Sequence, residues 1–182
     1  MNGNTAALAT NEIIQLAQIT KAQIEVNLFY RSPEREQAIK NLLESAGASE
    51  VYGVGEDASA RIQELGSERR RVDPRGILAA DVVLVPLEDG DRTEALVNIG
   101  KKVITIDLNP LSRTARTATV TIVDNVARAL PRLVEEASRM NKKMRLCQEV
   151  LSKFDNEKNL SEATLLICKR LSEIAAGTDI QI

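Results

Sequence analysis

The chain contains no histidine among its 182 residues, and that absence removes whole classes of chemistry before any motif is considered. A Ser-His-Asp or Cys-His nucleophilic device, a histidine general base and histidine-ligated zinc are all excluded. Cysteine is scarce too. Cys147 and Cys168 are the two present, both on apolar helical faces near the end of the chain, where they read as small buried hydrophobes. No basic excess is available to displace phosphate counterions, since 24 lysines and arginines face 26 acidic residues, which argues against a nucleic-acid binder. No run approaches the ~18 apolar residues of a membrane span, and Met1-Asn-Gly-Asn4 lacks the basic start and apolar core of a signal peptide. The expectation is a cytoplasmic chain with small-molecule partners and neither nucleic acid nor membrane. What remains for chemistry is carboxylates, arginines, lysines, hydroxyls, backbone amides and a bound cation.

What the sequence does have is an even mixture, 43% hydrophobic and 27% charged, in a length of about one domain. Such a chain buries roughly 70% of its unfolded surface. Three short β-branched apolar runs organise it: Asp81 to Pro86, Lys102 to Asp107 and Ala118 to Asp124. Bounded by polar clusters, they predict buried strands, and the helix-length segment between the first two makes a βαβ unit with parallel strands. The fold class is therefore α/β. Glu88 to Arg92, Asp107 to Asn109 and Asp124-Asn125 then lie at the carboxyl ends of neighbouring strands, where open α/β sheets bind their ligands.

Upstream, Thr10 or Asn11 can cap a helix whose apolar face is Ile13, Ile14, Leu16, Ala17 and Ile19. Gln23 to Phe29 alternates with strand periodicity. Ser32 and Pro33 then form a helix start, with the stop at Gly47. Arg31 lies between a strand end and that helix, a place that favours anions, although a solvated surface arginine reads equally well. Glu50 to Val54 is a fourth strand. The following Gly53-Val-Gly55-Glu-Asp-Ala58 matches a dinucleotide fingerprint in form only, because Glu56 and Asp57 would place negative charge where a pyrophosphate should lie. The glycines suit a tight turn instead. The arginine-rich loop from Gly66 to Gly76 is expected on the opposite rim of the sheet, in subunit contact or in solvent.

Asp89 or Asp91 can cap the helix that ends at Gly100. Capping alone does not explain Glu88, Asp89 and Asp91 together with Arg92, since clustered like charges cost energy unless a cation or donor-rich ligand offsets them. Pro110 to Thr117 reads as a polar loop in which Arg113 and Thr114 can hold phosphate oxygens. Asn125 caps a helix from Val126 to Met140 and also sits at the third strand end. Beyond Arg139 come two amphipathic helices, with Met144, Cys147, Val150, Leu151 and Phe154 facing Leu165, Leu166, Cys168 and Leu171, and with Asn156 to Ser161 as the turn and cap between them, a helical hairpin that packs on the sheet or extends a dimer interface. The division expected is a ligand-binding domain over 1–138 and a C-terminal helical extension over 139–182.

The runs Asn2-Gly-Asn4, Glu25 to Arg31, Gly53 to Ala58, Ser67 to Arg70, Val83 to Leu96, Ile106 to Ala115 and Thr121 to Asn125 resemble the archaeal 4-phosphopantoate–β-alanine ligases, also called phosphopantothenate synthetases. The likeness spans about Asn2 to Glu136. It implies a Rossmann-like three-layer fold with a mainly parallel sheet, a homodimer, and an ATP-dependent ligase of coenzyme A biosynthesis. That activity joins 4-phosphopantoate to β-alanine, giving phosphopantothenate, AMP and pyrophosphate through an acyl-adenylate. Carried over, the family's nucleotide contacts fall on Asp107, Leu108, Asn109, Arg113, Thr114, Asn125 and Val126. Arg92, with Mg²⁺ held partly by substrate phosphates, would neutralise charge, and Glu88 or Asp91 would bind that ion or take the amine proton. Asn4, Asn27 and Arg31 are the candidates for the phosphopantoate side. Two departures stand out: the family's N-terminal helical segment is not in this sequence, and the tail from about Arg139 is not a family feature. The first makes a fragment, or a non-catalytic nucleotide-binding domain, the alternative expectation.

Overall fold

In the computed structural model, which describes residues 1–87 and 89–177, the three apolar runs form parallel strands β5 (Val82–Val85), β6 (Lys102–Ile106) and β7 (Val120–Ile122), hydrogen-bonded in that order. Val85 pairs with Thr105 and Ile106 with Ile122, so the segments leaving the three strands emerge along one edge. Helix α3 (Gly90–Asn98) makes the crossover from β5 to β6. Because successive strand residues face opposite sides of a sheet, the strands serve two cores. Val83, Val85 and Val103 pack with Leu96 of α3, whereas Leu84, Ile106 and Ile122 pack with α1 (Gly3–Thr20) and α5 (Val126–Met140). This partition gives the three-layer α/β fold that the strand pattern and the resemblance imply.

The N-terminal helix begins earlier than its apolar face suggests, because Asn2 caps it by accepting from Thr5 N–H at 2.9 Å. A kink at Ala9 (φ −153°) separates this added stretch from the stripe that runs from Thr10. Helix α2 (Pro33–Ser45) starts as read, with Ser32 accepting from Arg35 N–H. Strand β1 (Ile24–Glu25) pairs in parallel with β2 (Val51–Tyr52), and β3 (Ala60–Arg61) pairs antiparallel with β4 (Arg71–Val72).

The alternation over Gln23 to Phe29 does not mark a half-exposed strand, since Ile24 to Leu28 are all buried. The arginine-rich loop covers the polar members. Asp73 and Ile77 N–H groups donate to the Glu25 carboxylate at 3.1 and 2.6 Å, and Asn27 Nδ2 donates to the carbonyls of Arg69 and Arg71 at 2.9 and 3.2 Å. That loop therefore packs on β1 and its continuation and not on a distant rim. Burial pushes the Glu25 carboxyl above its ordinary pKa, opposed by those two N–H donors. Gly53 permits the arrangement. Its φ is +76°, and a Cβ there would stand 2.6 Å from both Glu25 Cγ and the Val26 carbonyl.

The tail forms α6 (Met144–Lys153) and α7 (Asn156–Ala175). Asp155 caps α7 by accepting from Lys158 N–H, so helix occupies the Asn156–Ser161 stretch expected to be turn. Within one chain the tail's apolar faces are left largely uncovered, and the two cysteines are not buried as expected. Leu151, Leu165 and Leu171 are about two-thirds exposed, Cys168 is exposed and Cys147 is half-buried. The reason is how α7 attaches. Asn156 Oδ1 accepts from Thr121 N–H and Asn159 Nδ2 donates to the Thr121 carbonyl, both at 2.9 Å, closing the free edge of β7 with side chains. Only the start of α7, including buried Leu160, lies on the body of the fold.

Candidate functional site

The loops leaving β6 and β7 enclose a hollow of about 500 Å³ whose wall includes Asp107, Leu108, Asn109, Asn125 and Val126. Three of these side chains are fixed locally. Asp107 accepts from Asn109 N–H at 2.9 Å and from the Ser112 hydroxyl. Asn109 accepts in turn from Leu111 N–H at 3.0 Å, and Asn125 caps α5 by accepting from Ala127 N–H at 2.8 Å. Asp124, also a strand-end residue, and Ile106 share the wall with Leu8 of α1, Leu87 and Ser112, the last three being positions that the strand-end reading does not single out. Leu8 offers only periodicity in the sequence, and it arrives through packing of α1 on α5. Asp124 accepts from Arg128 Nε at 2.9 Å, and that contact holds its carboxyl below the usual range. The hollow thus combines exposed leucines with carboxylate and amide acceptors, a lining suited to a flat ring bearing hydroxyl groups.

Pro110 to Thr117 is not wholly loop. Ser112 caps a short helix α4 (Arg113–Thr117), accepting from Ala115 N–H at 2.9 Å. Arg113 and Thr114 do not line the hollow. Thr114 is fully buried, with its hydroxyl accepting from Asp89 N–H at 3.1 Å, which ties α4 to the start of α3. Arg113 leaves α4 in the same direction, lies over Gly90 and pairs with Asp91, with Glu94 at 3.7 Å. Its side chain is exposed.

Of the three catalytic candidates, Glu88 lies outside the described residues, and the other two stand in different settings. Asp89, not Asp91, caps α3, which leaves Asp91 exposed in the first turn against Arg113. Arg92 is buried, with Nε 3.1 Å from Asp89 Oδ2, while Arg69 Nε approaches the same oxygen at 2.9 Å. Both are ion-pair contacts without hydrogen-bond alignment. Burial lowers the Arg92 pKa and the Asp89 charge opposes that shift. Arg92 is thereby a structural cation at the head of α3, not a side chain presented to solvent.

The three phosphopantoate candidates are not brought together. Asn4 is exposed on α1. Asn27 is fully buried between the arginine loop and Arg92. Arg31 points inward, donating to Glu36 at 2.6 Å, to the Gly53 carbonyl at 2.5 Å and to the Arg71 carbonyl at 3.2 Å. An anion site at the head of α2 is therefore occupied by the protein's own Glu36, whose second oxygen accepts from Gly55 N–H. A second, wider hollow of about 820 Å³ opens beside Asp91, between Tyr30, Glu64, Glu68 and Glu94. Among the described residues no three histidine, cysteine or acidic side chains group to hold a metal ion.

Residues 1–170 match the family model described as phosphopantothenate/pantothenate synthetase. The chain is 51% identical over 179 residues to a 4-phosphopantoate–β-alanine ligase of Methanosarcina mazei, covering 98% of this chain and 70% of that protein. It is 50% identical to one of Thermococcus kodakarensis (96% and 67% covered) and 49% identical to one of Thermococcus onnurineus (97% and 68% covered). Since the family match runs to residue 170, most of the C-terminal helical segment lies inside the family pattern, which corrects the expectation that it is foreign to it.

Proposed function

The chain belongs to the phosphopantothenate/pantothenate synthetase family, and from that premise we propose that it is an ATP-dependent ligase joining 4-phosphopantoate to β-alanine. The observation that carries this reading is the single hollow shared by Asp107, Leu108, Asn109, Asn125 and Val126 at the carboxyl ends of β6 and β7. In the reaction proposed, a carboxylate oxygen of phosphopantoate attacks the α-phosphorus of ATP and pyrophosphate leaves with the broken P–O pair. The β-alanine nitrogen, having lost a proton, then attacks the activated carbonyl and AMP departs with the C–O pair. Both steps depend on alignment and charge neutralisation more than on a histidine.

Within this reading the nucleoside lies against Leu8 and Leu108, and the carboxylates of Asp107 and Asp124 accept from ribose hydroxyls. The phosphates run past Ser112 towards Arg113, whose ion pair with Asp91 must open to meet them. Asp91 is the described carboxylate best placed to take the amine proton. The described side chains form no group of three metal ligands, so Mg²⁺ would be held chiefly by the nucleotide's own phosphates and would neutralise their charge. We also propose a cytoplasmic homodimer, with the exposed apolar faces of α6 and α7 as the surface that a second copy covers. The test is purified protein with ATP, 4-phosphopantoate and β-alanine: AMP release that requires both co-substrates supports the ligase, and ATP binding without turnover refutes it.

A further inference from the structure

Helix α7 reaches the candidate site through one side chain. Asn156 donates from Nδ2 to the carbonyls of Ala115 and Ala118, both at 3.1 Å, while its Oδ1 accepts from Thr121 N–H at 2.9 Å. Those two carbonyls belong to the last turn of α4 and its cap. A five-residue helix cannot hold itself, because its closing carbonyls have no internal partners and its nucleation is unfavourable. Asn156 supplies donors for two of them, and the Thr121 hydroxyl supplies a further one to Ala115 at 2.8 Å. At its other end α4 is tied by Ser112 to Asp107 and by Thr114 to Asp89 N–H. It is a short strut, held in front by the hollow and behind by the tail.

We propose that Asn156 is a positioning residue for the nucleotide half of the reaction. By clamping the back of α4 it sets Ser112 against Asp107 and Arg113 beside Asp91. The inference rests on reading the hollow as the nucleotide site. It assigns the C-terminal segment, which holds none of the candidate contacts, a part in nucleotide affinity. Asn159 is the internal control, since its side-chain hydrogen bond goes to the Thr121 carbonyl and not to a group of α4.

The experiment is steady-state kinetics with each substrate varied, together with thermal melts, for the purified protein and three variants. Asn156→Ala is expected to raise the KM for ATP about five- to tenfold, with the KM for β-alanine and for phosphopantoate changed by less than about twofold. Asn156→Asp keeps the acceptor for Thr121 but turns a carboxylate towards the two carbonyls; it is expected to show the same selective rise and carries the test if the alanine variant does not fold. Asn159→Ala is expected to lower the melting temperature and leave the KM for ATP unchanged. An equal rise in Asn159→Ala, or a rise shared by all three substrates, would mean general loosening and overturns the proposal. Wild-type turnover with an unchanged KM for ATP in the Asn156 variants sinks it alone, whereas wild-type protein that never releases AMP sinks the ligase reading instead.

Discussion

Arg92 Nη1 donates to Asn27 Oδ1 at 3.2 Å across 65 residues of sequence. Two residues that the sequence suggests for separate duties, charge neutralisation and substrate binding, are thus members of one buried cluster with Asp89 and Arg69. The cluster joins the head of α3 to the continuation of β1, and through the Asp89 N–H to Thr114 it reaches α4. Within it Asp89 and Arg92 are buried, and Arg69 is partly exposed.

Asp89→Ala is therefore predicted to act through folding. It removes the α3 cap and leaves two guanidiniums without their carboxylate, a change of about 3–5 kcal/mol. Urea unfolding should show the loss; a variant within about 1 kcal/mol of wild type would contradict the buried pairing.

Asp107→Asn should leave the fold in place and weaken the nucleotide. Its amide can still accept from Asn109 N–H or Ser112, but not from both of those and a ribose hydroxyl. A rise of roughly tenfold or more in the Kd for ATP is expected by calorimetry. Unchanged affinity with normal stability would remove Asp107 from the site.

Gly53→Ala is expected to be among the most damaging single-methyl additions. The positive φ and the approach to Glu25 and the Val26 carbonyl leave the methyl no room, and a cost of about 2–3 kcal/mol or more follows. Thermal melting checks this directly.

Acid should unfold the protein partly through Asp73. Side-chain hydrogen bonds from Arg75, at 2.7 and 3.0 Å, hold its carboxyl below the ordinary value. A depressed folded pKa gives stability that is whole above the unfolded value of about 4 and is lost as pH falls through the folded one. Asp73→Asn should cost about 1 kcal/mol at neutral pH, the low end because Arg75 is half-exposed, and should flatten the decline below about pH 4. An equal acid slope in wild type and variant would exclude Asp73 as a contributor.

Leu165→Glu with Leu171→Glu places charge on the exposed face of α7. Light scattering should show a dimer for the wild type and a monomer for the variant, with ATP binding retained. A wild-type monomer at working concentration would refute the proposed pairing.

Much of this protein is legible in its sequence because the signals are local. Ser32-Pro33, Asn125 and the three β-branched runs act within a few residues of themselves, so the parallel strands, several caps and the convergence of Asp107 with Asn125 follow from spacing and pleat. Burial of polar residues is not local. Only tertiary packing decided that Arg31 would meet Glu36 and two carbonyls, that Asn27 would meet Arg92, and that Asn156 would seal β7 and brace α4. An arginine or asparagine near a strand end looks the same in sequence whether its partners are a ligand or distant backbone. The choice is made by which segments fold over it and leave its donors no water.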